Sequence, residues 1–265
     1  MNLQAKTINW LLPAILLASA SFSYAETAEE KGLAIAKQTK QSDIGWTDMT
    51  AQMQMVLRNS EGQESIRDIR MQSLEKKDDG DKSLSIFDRP LDVKGTAFLS
   101  FSHPGEADDQ WLYLPALKRV KRIASRNKSG PFMGSEFAYE DLTSFEIEKY
   151  TYKYLRDESC GTEQCYVVEQ YPVDEYSGYT RRVVWIDQSE NRLHKIDFYD
   201  RKNSLLKTLT YAAYQQYLGK HWRPDMMKMD NHLTKKNTDL IWTDYQFNTG
   251  LSDADFNRNS LKRAH

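Results

Sequence analysis

Only two cysteines occur in the 265 residues, Cys160 and Cys165. Their spacing is not CxxC and no βαβ pattern surrounds them, which argues against thioredoxin-like redox chemistry. Proline is sparse, at 7 residues, and no Pro-rich linker, internal repeat or low-complexity tract divides the chain into separate domains. Beyond the first 25 residues no stretch approaches the ~18 apolar residues of a membrane-crossing helix. Charge of one sign is lacking too. Loss of Lys6 with the N-terminal segment leaves 35 basic against 38 acidic residues, a net of −3, which is no footprint for nucleic acid. Catalytic signatures are equally scarce. There is no GxSxG elbow, P-loop or GxGxxG, and Gly130-Pro131-Phe132-Met133-Gly134-Ser135 resembles a nucleophile loop only superficially. His103, His194, His221, His232 and His265 fall at no metal-ligand spacing. These absences point away from an enzyme, and nothing in the pattern asks for a cofactor or a metal.

What is present begins with an export signal. Lys6 supplies a positive n-region, Ile8 to Ala20 a short apolar core, and Ser23-Tyr24-Ala25 a small-x-Ala cleavage site. The spacing predicts a signal peptide over residues 1–25, cleaved after Ala25, and a mature domain over 26–265. No cysteine adjoins the cut, so no lipid-modified N-terminus is expected. In an oxidising compartment Cys160 and Cys165, at hairpin separation, are expected to pair, closing a loop worth at most about 2 kcal/mol.

The mature chain is dominated by period-two alternation. Met49, Ala51, Met53 and Met55 alternate with Thr50, Gln52 and Gln54, which makes a half-buried strand. Twelve further strands are read at 65–74, 84–87, 95–102, 110–114, 118–123, 149–155, 165–171, 179–186, 193–199, 205–214, 222–229 and 239–247. Turns such as Asp79-Gly80 and Tyr176-Ser177-Gly178 separate them, and connections this short require antiparallel neighbours. Thirteen strands in one meander call for strong curvature or partial closure. Thr27 with Glu30, and Ser252 with Asp255, have capping-box spacing for helices near the two ends, and Tyr139–Phe145 suggests a turn or two between them. The expected fold is α+β and β-rich: a curved, incompletely closed antiparallel β-barrel with helices packed across its concave face.

The most specific segment runs from Asp108 to Leu142, DDQWLYLPALKRVKRIASRNKSGPFMGSEFAYEDL. An aromatic strand (Trp111, Tyr113) leads into a basic one (Lys118, Arg119, Lys121, Arg122). A Gly-Pro loop follows, carrying Phe132, Met133 and Phe137, and then the acidic pair Glu140–Asp141. This block resembles the signature of exported LolA-like outer-membrane lipoprotein-sorting proteins, a family often found with RND/MMPL-type exporters. The resemblance implies a periplasmic, non-catalytic carrier that shelters a lipid or acyl-bearing molecule, with an inner-membrane RND/MMPL-type exporter as partner and only transient membrane contact. A structural or docking subunit of such an exporter, without its own ligand, is the alternative.

Within that frame Trp111, Tyr113, Phe132, Met133 and Phe137 are candidates for the ligand or cavity entrance. The loop bearing the last three reads either as a plug at a cavity mouth or as a loop folded into its own core. Lys118, Arg119, Lys121 and Arg122 read either as a solvated face or as an electropositive site for an anionic headgroup or an acidic partner.

Overall fold

Residues 25–262 are described by a computed structural model. The expected signal peptide lies outside these residues, apart from Ala25. The alternating segments form one antiparallel sheet of thirteen strands. The first six are β1 (Asp48–Arg58), β2 (Glu64–Leu74), β3 (Lys82–Arg89), β4 (Ala97–Phe101), β5 (Asp109–Leu114) and β6 (Arg119–Arg122). After a long connection come β7 (Tyr150–Cys160), β8 (Glu163–Pro172), β9 (Tyr179–Asp187), β10 (Leu193–Asp200), β11 (Leu205–Tyr217), β12 (His221–Asn231) and β13 (Asn237–Phe247). Strands consecutive in sequence are neighbours in the sheet except β6 and β7, and one further pair joins the two runs: β1 with β13, from Met49↔Phe247 to Arg58↔Asn237. The edges are therefore β6 and β7, which do not pair with each other. The barrel is unclosed, as the sequence pattern suggests.

Curvature has local causes. Asp244 in β13 adopts left-handed backbone (φ 55°) where the β1–β13 register shifts between Thr50 and Gln52. Such a bulge bends a strand and increases its twist. In β11 Ala213 is also left-handed (φ 55°) and drops out of the β11–β12 ladder without a shift of register, and Pro224, which has no N–H to give a ladder, sits opposite Tyr214 just beyond it.

The parity of each strand sorts the side chains. Phe87, Phe98, Leu112, Val184, Ile196, Phe198 and their equivalents face inward and form the main core. Leu84, Ile86, Leu99 and Tyr113 face outward, as do Val167, Val183 and Trp185 around Cys165. The two helices cover different faces. Helix α1 (Ala28–Asp43) starts with the expected capping box: the Glu30 amide donates to Thr27 Oγ1 at 3.1 Å, and the Thr27 amide donates to Glu30 Oε2 at 2.9 Å. It buries Ile35 and Ala36 against the inner core and touches β7, β8 and β12. The short α2 (Arg258–Lys262), preceded by a 3-10 turn capped by Ser252 and Asp255, instead lays Leu261 on the outer face of β4 and β5, beside Phe256. The Tyr139–Phe145 helix is reduced to one 3-10 turn over Tyr139–Leu142. The Cys160–Cys165 disulfide is formed, with a Cα–Cα distance of 5.9 Å across the β7–β8 hairpin.

Helix α1 approaches β7 so closely that Gly32 leaves no room for a side chain. A Cβ there would stand 2.8 Å from the amide nitrogen of Tyr154. Beside it, the Lys31 ammonium lies 3.5 Å from the centroid of the Tyr154 ring. Gly32→Val is expected to lift α1 from β7 and lower Tm by roughly 3–10 °C, the scale of an overpacking penalty in a chain of this size. Differential scanning calorimetry together with hydrogen exchange across residues 28–43 checks this, and wild-type protection of α1 in the variant would contradict it.

Candidate functional site

The connection from β6 to β7, residues 123–149, has to cross from one edge of the sheet to the other. It does so over one end of the barrel, and the acidic pair of the signature block anchors it there. Asp141 accepts from Lys207 Nζ at 2.6 Å, from the Ala138 amide at 2.6 Å and from the Tyr179 hydroxyl at 2.7 Å. The side chains of Lys207 and Asp141 are only 5% and 3% exposed. Lys207 also donates to the carbonyl of Glu136 at 2.8 Å. A buried pair this well satisfied contributes little net stability, whereas removing one partner typically costs about 3–5 kcal/mol because the other charge is stranded. Glu140 accepts from Ser177 Oγ and from the Gly178 amide, each at 2.8 Å. Further along, the Glu136 amide donates to Thr238 Oγ1 at 3.1 Å, and Gln110 Nε2 donates to the Tyr139 carbonyl at 2.9 Å. The crossing segment is thus fastened to β5, β9, β11 and β13.

Those bonds hold two aromatic rings inside the barrel. Phe132 and Phe137 are 1% and 2% exposed, and Phe132 packs on Phe98 at 5.0 Å between centroids and on Tyr139 at 5.6 Å. Met133 is half-buried beside them and accepts, through its carbonyl, from Arg67. Above this floor lies a cavity of about 500 Å³, bounded by the inner sheet face, α1 and the crossing segment. That falls within the ~300–1,000 Å³ of small-molecule sites. Its walls are mostly apolar and soft, including Met53, Met55, Leu209 and Met227. At the end opposite Phe132 and Phe137, where β1 begins and β11 turns into β12, the lining changes to Trp46, Trp222, Arg192 and Arg223. The charges there are paired: Arg192 with Asp187 at 2.7 Å, and Arg223 with Asp43 at 2.6 Å. Three phenols are among the polar groups in the walls. Burial pushes the hydroxyls of Tyr150, Tyr211 and Tyr214 up, so they remain neutral hydrogen-bonding groups.

The sequence-selected residues therefore divide into three places. Phe132 and Phe137 line the cavity, at its strapped end. Trp111 and Tyr113 stand on the outer face of β5, where Trp111 packs on Phe101 at 5.2 Å and Tyr113 joins the core under α2. The odd positions of β5 point outward and Leu112 points inward, a parity the local sequence does not reveal. Lys118, Arg119, Lys121 and Arg122 are exposed on and beside edge strand β6, with Arg122 paired to Asp109 at 2.5 Å and Lys118 in left-handed backbone just before the strand. Cys160, Cys165 and His194 form the one cluster of metal-ligand residue types among the described residues. Both sulfurs are engaged in the disulfide, and His194 Nε2 lies 3.1 Å from Asp187. Sequence reading missed the polar groups of β8 and β9 that face into the cavity, Gln170 and Arg182. The inward alternation of Arg182, Val184 and Ile186 is the signal that could have found them.

An unclosed antiparallel barrel, strapped at one end and holding an apolar cavity under a helix, is a LolA-like architecture. A family profile described only as an uncharacterized protein matches residues 79–263. The chain is 59% identical to an outer membrane lipoprotein-sorting protein domain from Vibrio parahaemolyticus, over 89% of this chain and 100% of that one, with a TM-score of 0.87. It is 29% identical to a DUF1329 family protein from Desulfovibrio piger, covering 89% and 99% of the two chains at a TM-score of 0.84. A LolA superfamily protein from Nitrosomonas europaea shares the fold at 23% identity, covering 89% and 100%, with a TM-score of 0.69. No curated protein matches. The chain belongs to the outer-membrane lipoprotein-sorting protein family, and its fold is LolA-like.

The strap carries a pH signature. Burial, reinforced by neighbouring Asp141, raises the Glu140 carboxyl above the usual range despite its two hydrogen bonds. A carboxyl raised in the folded state contributes stability that is complete below its unfolded value and is lost as pH rises through the folded value. Glu140→Gln removes that dependence. The variant is expected to be less stable than wild type at pH 4, with the gap narrowing towards pH 7. Urea denaturation at a series of pH values measures this, and a gap that widens with pH would refute it.

Proposed function

We infer that this protein is a non-catalytic carrier that shelters a lipid or acyl-bearing molecule in its cavity for transfer towards the outer membrane. The observation that carries this reading is the apolar cavity of about 500 Å³ enclosed between sheet, α1 and strap. An acyl chain gains ~0.8 kcal/mol per buried methylene, so a cavity of this lining is a sufficient driving force without any chemistry. The lipoprotein-sorting description of the Vibrio parahaemolyticus relative agrees with such a role. The reading takes residues 1–25 as a signal peptide cleaved after Ala25 and residues 26–265 as one carrier domain acting in the periplasm. Release of a tightly held chain needs a counter-effect. The seam between α1 and the strap is the place suited to open, because Lys40 bridges it, donating to the Phe145 carbonyl at 2.9 Å and pairing with Glu146 at 3.2 Å, while α1 stays packed on β7. An RND/MMPL-type exporter in the inner membrane is the partner this reading assigns to the loading or unloading step.

The test uses a neutral probe, so that only apolar burial is measured. Delipidated mature protein is expected to bind the methyl ester of cis-parinaric acid one to one, with about tenfold weaker binding in Met227→Trp, which adds bulk to the inner wall. Absence of saturable fluorescence in wild type would end the carrier reading.

A docking role has one specific observation in its favour: the exposed cations Lys118, Arg119, Lys121 and Arg122 lie on or beside β6, an edge strand whose only ladder is with β5. Replacing all four with Glu is expected to weaken association with vesicles containing phosphatidylglycerol, most strongly at low salt, and to leave Tm nearly unchanged. Equal vesicle binding at every salt concentration would return these residues to a solvated face.

A further inference from the structure

Arg182 is the part of the inner wall for which a purely apolar cargo has no use. It shares the inward face of β9 with Val184 and Ile186 and borders the cavity. Its Nε donates to Oε1 of Gln170, itself only 2% exposed, at 2.6 Å. Its guanidinium lies 4.0 Å from the centroid of the Tyr150 ring and 5.8 Å from that of Phe145. Three other arginines around the barrel have carboxylates: Arg181 with Glu169 at 2.9 Å, Arg192 with Asp187, Arg223 with Asp43. No carboxylate among the described residues lies within 4.0 Å of Arg182, and its terminal nitrogens have no protein acceptor there. A cation fixed by a glutamine on one side and an aromatic face on another presents the rest of its planar fork for bidentate contact with an oxyanion. An oxyanion bound there supplies the acceptors that the terminal nitrogens lack within the protein.

We propose that Arg182 receives the carboxylate of a single-chain fatty acid whose alkyl part lies along the cavity wall. This rests on the carrier reading and names its cargo. The charge balance selects a monoanion. Lys207, the nearby buried ammonium, is committed to Asp141. Burial raises the Tyr150 phenol, Arg182 opposes that shift, and Glu140 and Asp141 add to it, so Tyr150 feels the acids of the strap as well as Arg182. That field disfavours a phosphate monoester carrying about −1.5 to −2 charges. The ester- and amide-linked chains of a lipoprotein present no anion to this site.

The experiment compares cis-parinaric acid with its methyl ester on delipidated wild type, Arg182→Met and Arg182→Lys. Wild type is expected to bind the acid at least about tenfold more tightly than the ester, the scale of a hydrogen bond to a charged group. Arg182→Met loses that preference while its affinity for the ester holds, and Arg182→Lys retains part of it. Near-UV circular dichroism and Tm confirm that the variants fold. Independently of any variant, the carboxyl resonance of 13C-labelled palmitate bound to wild type should titrate below the range of the free acid. Ester binding without preference for the acid, a full preference surviving in Arg182→Met, an unshifted carboxyl titration, or displacement of palmitate by lysophosphatidic acid at lower concentration would each overturn the proposal while leaving the carrier reading intact. Failure of both acid and ester to bind would remove the carrier reading beneath it.

Discussion

The rest of the structure depends on a single anchoring point, the buried carboxylate of Asp141. An antiparallel meander whose outer strands do not meet leaves two open edges, and the chain itself must travel from one to the other. That traverse is stable only if its backbone finds partners on the way, since buried amides and carbonyls without them are costly. Asp141 gathers an ammonium, a phenol and an amide, and so ties the traverse to β9 and β11. With the segment fixed, Phe132 and Phe137 seal one end of the barrel and the remaining interior becomes a cavity instead of an open trough.

The cavity persists for a second reason, which lies in how α1 is seated. Gly32 lets the helix backbone sit against β7, so its apolar face reaches Ile35 and Ala36 into the interior without filling it. Methionines line much of what is left, and their flexible thioethers adapt to contents of varied shape. Charges around the far rim are matched locally, whereas Arg182 deeper in the wall is held by a neutral amide and an aromatic face. Its environment differs in kind from that of any arginine at the rim, and this contrast gives the interior a polarity.

Much of this was legible in the order of residues. The alternation from Met49 to Met55, and its twelve repetitions, named every strand, because a sheet with one wet face writes its period into the sequence. The capping boxes at Thr27 and Ser252 marked the true start of α1 and of the C-terminal turn. Pairing of β1 with β13 was not legible, since nothing local distinguishes an edge strand from one that finds a distant partner. The same limit applies to facing. Trp111 and Tyr113 look like a cavity lining until the parity of β5 is known, and the outward-facing apolar patch of β3 to β5 is what draws α2 to the outer surface. Arg182 beside Arg181 reads as two surface charges. Alternation separates them, sending one out to Glu169 and the other in towards Tyr150.

The β1–β13 ladder has a consequence for how the molecule comes into being. Hairpins β1 to β6 and β7 to β13 are each built from near neighbours and have the means to form early, but the two halves join only through strands at opposite ends of the chain. Contacts of such long sequence separation close slowly, because the loop entropy must be met before the ladder rewards it. The joining of β1 to β13 thus has to wait until almost the entire chain has emerged, and in the interval both strands offer unpaired edges to one another and to any other extended segment. Assembly among many copies therefore places this ladder, more than the interior, at risk of exchange between them, and a chaperone that shields exposed strands would act on this junction first.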